Sequence, residues 1–273
     1  MDFKTNRGRD LTIGTNVGAL GDALWITPVF KVLPDATLQM VDNKHCWNLS
    51  QVYCGIVKNI KFSNETVPLP WANKAVHTTR NTLHALGEFD ASIIPWIKIF
   101  PEEIDWAKSF LSEFGPLEKM VAINAHNSGW KDPNNFFAQA IKPPKEAMQK
   151  YVDAYLNMGM IPIQFSNKPN HFRNNYDNFD PLENTIKIRT LSIRETAACY
   201  SLIGRMISGD TGDPYLMIAA GGKVIKLLGP EIGNYRHYNI CYLDSDWDNN
   251  QVRSKYFKFE DWEKVFDYMR FDW

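Results

Sequence analysis

This chain has no long apolar run, no excess of either charge and few cysteines, and each shortage removes a class of protein. No hydrophobic stretch reaches bilayer-spanning length, and the opening residues, MDFKTNRGRD, lack the apolar core of a secretory signal. The expectation is a cytoplasmic protein without membrane insertion. Lys and Arg number 30 against 31 Asp and Glu, a formal net charge of −1, so no overall field draws the chain to nucleic acid or to an anionic surface. The four cysteines, Cys46, Cys54, Cys199 and Cys241, form no CxxC pair, and the five histidines other than His126 show no metal-ligand spacing. Reduced structural thiols and the absence of a metal follow as expectations. Asn48-Leu49-Ser50 and Asn64-Glu65-Thr66 match the glycosylation sequon, and without a secretory signal they read as chance matches. There is no short-period repeat and no low-complexity tract.

What is present is enough for a core. At 273 residues, 44% hydrophobic and 22% charged, the chain suits two modest α/β domains. Abundant Asn, Lys, Ile, Phe and Tyr hint at an AT-rich coding genome of the kind viruses carry. Strand and helix signals alternate almost throughout, which points to parallel sheets with crossover helices. Strands are predicted at 11–14, 37–41, 57–62 and 91–94, then at 120–124, 161–165 and 186–189. Helices are predicted at 22–33, 47–54, 78–86, 102–114, 145–157 and 193–202, with a last amphipathic one at 259–269. Gly115-Pro116 stops the fourth and marks a linker, dividing the chain into a domain at 1–115, a second at 118–256 and a terminal helix at 257–273 that returns to the first.

Two strand-to-helix junctions carry the chemistry. From Arg205 to Pro230 the sequence reads strand, tight turn, helix, turn, strand, with Asp210-Thr211-Gly212 at the first turn. Gly212 permits a backbone conformation closed to other residues, and Asp213-Pro214 favours a helix start. Such a start aims free N–H groups and the positive end of the helix dipole at whatever lies above the strand end, a site for phosphate or diphosphate. Near the N-terminus, Leu11 to Gly14 ends a strand, Gly18 and Gly21 lie in the following loop, and Asp22 opens a helix with Ala23, Ile26, Phe30 and Leu33 at helical spacing. Open α/β sheets place ligands at such turns, so two of them facing each other suggest an interdomain cleft. Asn124 ends the strand opening the second half, and His126 follows it within reach of that cleft.

At this point the residues resemble a family. GALGDALWITPVFKVLP at 18–34 is similar to the G-D-x-L-x-x-T-P opening of heptosyltransferase-type enzymes of glycosyltransferase family 9, and ISGDTGDPYLMIAAGGKVIKLLGP at 207–230 resembles their D-T-G block. VAINAHNSGWKDPNNF and LSIRETAACYSLIGRMISGDTG are similar to the segments between, in the same order. The resemblance implies the GT-B architecture: two Rossmann-like domains with parallel sheets facing a cleft, acceptor mainly on the first, nucleotide-sugar donor mainly on the second. It implies Asp22 as general base, Asp210, Thr211, Gly212 and Asp213 with Tyr215 around the donor, Lys131 as the cation from the central loop, and no metal or other cofactor. Inverting transfer from a nucleoside-diphosphate sugar to a glycan of lipopolysaccharide type is the expected reaction. The chemistry fits the residues, since such transfer needs a base for the acceptor proton and donors for the departing diphosphate.

Departures and rivals remain. Tyr215 stands where the family usually carries His, Asp213 sets a negative charge beside the expected diphosphate, and Ser128-Gly129-Trp130 precede Lys131 in an altered order. A hydroxymethylated base in phage-type DNA is the alternative acceptor, with Lys4, Arg7, Arg9, Arg253, Lys255 and Lys258 as candidate phosphate contacts. An NAD-dependent oxidoreductase would use Asn16 to Gly21 and Asp42, although that loop lacks the first glycine of G-x-G-x-x-G and no Tyr-x-x-x-Lys pair follows. A non-catalytic nucleotide-sugar binder and a sugar-nucleotide epimerase share the same shell. Asp244-Ser245-Asp246-Trp247-Asp248 reads as a solvated acidic loop.

Overall fold

Met120 to Asn124 is buried at all five positions, the pattern of a parallel strand covered on both faces. It is β4 of a computed structural model that describes residues 12–15, 20–65, 83, 94–124, 143–165, 181–188, 191–209, 211–228, 254–258 and 261–271. Among these, β1 (Thr12–Thr15), β2 (Thr37–Val41) and β3 (Asn59–Ser63) form one parallel sheet in that order. β5 (Ile161–Phe165), β6 (Ile186–Ile188), β7 (Arg205–Ser208), β8 (Lys223–Leu228) and β9 (Ser254–Lys258) join β4 in a second, ordered β6-β5-β4-β7-β8-β9 and parallel throughout. The chain winds one way from β4 to β6 and the other way from β7 to β9. The switch point therefore lies between the ends of β4 and β7, where Asn124 and Ser208 are register partners; it is there that such sheets open a ligand crevice.

Helices cover both faces. α5 (Lys145–Asn157) and α8 (Trp262–Phe271) lie on one, where Tyr151, Val152, Val265 and Met269 share a core with Val121, Ile123, Ile207 and Ile225. α6 (Ile193–Ile203) and α7 (Gly212–Ala219) lie on the other, with Ala198, Tyr200 and Leu216 beside Ala122, Met206 and Val224. α6 begins with a reciprocal cap, Ser192 Oγ accepting from the Glu195 amide while the Glu195 carboxylate accepts from that of Ser192, and stops at Gly204 with a left-handed φ of 71°. The second of these cores continues without a break into α1 (Leu20–Trp25), α2 (Val29–Val32), β2 and α3 (Lys44–Leu49), through Ala23, Phe30, Leu38 and Cys46. One hydrophobic core thus runs under both sheets.

Several expectations meet a different outcome. The helix expected over 22–33 is broken, because Pro28 has no N–H to continue it; Thr27 instead closes α1, its amide and hydroxyl both donating to the Leu24 carbonyl at 3.1 and 2.8 Å. α8, expected to return to the first half, has its described core contacts on the six-stranded sheet. β9 was not predicted, and the strand expected at 91–94 and the helix at 78–86 fall, apart from Leu83 and Ile94, outside the described residues. α4 (Pro101–Ser112), before whose first residue the Phe100 amide donates to the Glu103 carboxylate at 2.8 Å, packs on α6. No described helix is long and apolar enough to cross a membrane.

Candidate active site

α1 follows the loop after β1, α7 follows the turn after β7, and the two helices meet at their first residues. A β-carbon built on Gly212 would lie 2.9 Å from the Leu20 β-carbon and 3.4 Å from the Gly21 amide nitrogen. One on Gly21 would lie 3.4 Å from Cδ2 of Tyr215. Gly212 is therefore small because α1 presses against it. The expectation that it takes a special backbone conformation is corrected, since Gly212 is not among the glycines with positive φ. The facing of the two junctions, expected from sequence, holds for these residues, and their helix starts touch.

Asp213, the second residue of α7, is anchored from two elements. Asn124 Nδ2 donates to its Oδ2 at 2.5 Å from the end of β4, and the Tyr200 hydroxyl donates to its Oδ1 at 3.1 Å from α6. Asn124 and Tyr200 are themselves buried. Burial first, and the Asp213 charge second, push the Tyr200 phenol well above its ordinary 10.0, so it stays a neutral donor. The carboxylate that sequence alone sets beside the diphosphate is thus tied to the protein through both oxygens, and it fixes the start of α7 over the switch point.

Thr211 is the N-cap residue of α7, in extended conformation, yet its side chain makes no capping bond. Its Oγ1 is buried and has no hydrogen-bond partner among the described residues. A hydroxyl in that state at a helix start is a donor and acceptor held ready for a ligand. Tyr215 is buried, edge-on to Trp25 of α1 with ring centroids 5.3 Å apart, and its face carries the Lys226 ammonium 3.6 Å from the centroid. It seals the contact between the two helices.

Asp22 lies within α1, at the contact with α7, but its side chain falls outside the described residues, as do Gly18, His126, Lys131 and Asp210 altogether. The structure brings together Gly21, Asn124, Thr211, Gly212, Asp213 and Tyr215. Sequence reasoning missed Tyr200 and Lys226. Tyr200 carries no motif, but Lys226 left a signal: it interrupts VIKLL, an apolar run in a strand with both neighbours paired.

A second link joins the halves away from the helix starts. Arg194 of α6 gives Nε and Nη2 to the two carboxylate oxygens of Glu103 in α4, both at 2.5 Å. It also donates to the carbonyls of Gln51 at 3.2 Å and Lys98 at 2.8 Å, and it stacks on Phe100. Burial alone would raise the Glu103 pKa, but hydrogen bonds from Arg194 and the Phe100 amide, with the Arg194 charge, hold it below its ordinary value.

No protein-family model matches the sequence, nor does any curated protein. Solved structures do resemble it. A glycosyl transferase of family 9 from Veillonella parvula DSM 2008 is 15% identical and superposes with a TM-score of 0.62 over 91% of this chain and 86% of its own. TibC from enterotoxigenic E. coli H10407, described as an iron-containing dodecameric glycosyltransferase, is 13% identical with a TM-score of 0.47, over 81% of this chain and 58% of its own. The ADP-heptose lps heptosyltransferase II of E. coli is 9% identical, TM-score 0.47, over 87% and 72%. The expectation that no metal or cofactor takes part is corrected here, since TibC is described as iron-containing both alone and in its complex with ADP-D-beta-D-heptose, and freedom from metal is not a property of the likeness. Among the described residues no group of three or more His, Cys, Asp or Glu side chains could hold such an ion. With two parallel α/β sheets and the Veillonella structure matched over most of both chains, this protein has the GT-B fold seen in glycosyltransferase family 9.

Proposed function

We propose that this chain is a glycosyltransferase that moves a sugar from a nucleoside-diphosphate sugar to an acceptor hydroxyl, with inversion, the acceptor being a glycan of lipopolysaccharide type. The six-stranded sheet takes the donor and the first sheet the acceptor. The observation that supports the reading most is the contact of Gly212 in α7 with Leu20 and Gly21 of α1 at the switch point, next to a Thr211 hydroxyl that has no partner among the described residues. The first turn of α7 receives the diphosphate, where amides and the helix dipole offset the charge that grows as the glycosidic bond breaks. Asp22 takes the acceptor proton as the new bond forms. Asp210 and Lys131 complete the donor side, as the sequence motifs imply.

The test is turnover of a nucleotide sugar with Asp22→Asn beside the wild type. A base role predicts a loss of about 100-fold or more in rate with donor affinity nearly unchanged. Turnover that survives in Asp22→Asn contradicts the assignment of the base.

A further inference from the structure

A central strand of a parallel sheet, covered on both faces, is ordinarily apolar from end to end. β8 is not, because Lys226 lies in it with no exposed surface. By strand alternation its side chain shares a face with Val224 and lies under α7, while Ile225 and Leu227 belong to the core on the opposite face. Register pairs it with Ser208, the last residue of β7, three positions before Thr211. The ammonium sits over the ring of Tyr215, in the first turn of α7, and Tyr215 in turn meets Trp25 and Gly21 of α1. The positive charge is thus placed where β8, α7 and α1 come together, beneath the turn to which the donor is assigned.

Taking an ammonium out of water is costly, and the aromatic face of Tyr215 offsets part of that cost. A reason for the charge lies in Asp213. Its carboxylate stands in the same first turn and opposes any anion there, and its hydrogen bonds to Asn124 and Tyr200 spread that charge without removing it. A buried ammonium at the Tyr215 end of the same turn counters it in a region that salt screens poorly. We propose that Lys226 is a positioning residue of the donor site, its buried ammonium acting through the first turn of α7 to favour the phosphate charge of a nucleoside diphosphate bound above it. This rests on the donor-site reading given above.

The experiment is calorimetric titration of wild type and Lys226→Met with three probes: the nucleoside diphosphate that most raises the wild-type melting point, its monophosphate and its free nucleoside. The expected result is a loss of about tenfold or more for the diphosphate, less for the monophosphate, and nucleoside affinity within about twofold. An unchanged ratio of diphosphate to nucleoside affinity overturns the proposal and leaves the donor site in place. Wild type that binds no nucleoside diphosphate overturns the donor site and this proposal together. Lys226→Gln repeats the comparison with a polar, uncharged side chain if the methionine variant does not fold.

Discussion

Gly212 and Leu20 are so close that a β-carbon on the first would stand 2.9 Å from the β-carbon of the second, nearer than side-chain carbons normally approach. That contact joins the start of α7 to the start of α1, and so joins the expected diphosphate site to the expected base. Gly212→Ala would push the helices apart at the one place where both functional turns meet. The expected cost is about 1–3 kcal/mol of stability, measured by urea unfolding, with donor affinity falling more than stability alone explains. Gly159→Ala, where a β-carbon meets nothing but φ is +73°, would lower stability and leave donor binding unaltered.

Asn124, Tyr200 and Asp213 act as one unit. Asn124→Leu removes the 2.5 Å donor from a carboxylate whose neighbours are buried, at an expected cost of about 1–3 kcal/mol. Asp213→Asn changes the same contact from the other side. The two changes combined are expected to cost clearly less than their sum, which a double-mutant cycle measures. Strict additivity would mean that the bond contributes nothing.

Arg194 and Glu103 tie α6 to α4, and their response to acid has a definite sign. The Glu103 pKa is lower in the folded protein than its ordinary 4.5, so the stability it adds is present above 4.5 and is lost as pH falls through the folded value. Wild type is expected to exceed Glu103→Gln in stability by about 1 kcal/mol at pH 7, the carboxylate being part-exposed, and that gap narrows below pH 4.5. A gap that widens in acid would contradict the pairing.

Alkali tests the buried phenols. The pKa of Tyr151 is pushed up to about 12 by burial and then by Asp261, while Tyr155 and Tyr200 rise well above 10.0, burial again being the first cause. A raised folded value means stability held below pH 10 and lost as pH climbs through the folded values. Tyrosinate absorbance is expected to rise in two stages, with these three ionising last and together with unfolding. A single stage near pH 10, with the fold intact, would contradict their burial.

Much of the scaffold was legible because its strands need apolar runs of a certain length and its helices a certain spacing. The strands at 37–41, 120–124 and 161–165 and the helix at 145–157 lie where pattern places them. Pattern failed where a single residue overrides it: Pro28 breaks a helix whose apolar spacing runs on through it. In the candidate site, the sequence marks Thr211 and Gly212 by type, but the tightness at Gly212 depends on Leu20, nearly 200 positions away in the chain. No spacing rule connects Tyr200 to Asp213, or Lys226 to Tyr215, because those contacts exist only once α6, α7 and β8 are stacked. Asp213 shows the consequence, since its charge reads as a donor-site group in sequence and as an anchored strut in the fold.

The central claim is that a nucleoside-diphosphate sugar binds over the start of α7. Thermal stabilisation across ADP-, UDP-, GDP- and CMP-linked sugars, with NAD as a control, tests it most directly, because a ligand that binds the native state raises the melting point by mass action. The account predicts a shift for a diphosphate sugar that shrinks clearly in Thr211→Val, which removes the hydroxyl and suits the extended backbone at that position. No shift for any diphosphate sugar, or a shift for NAD alone, would contradict it.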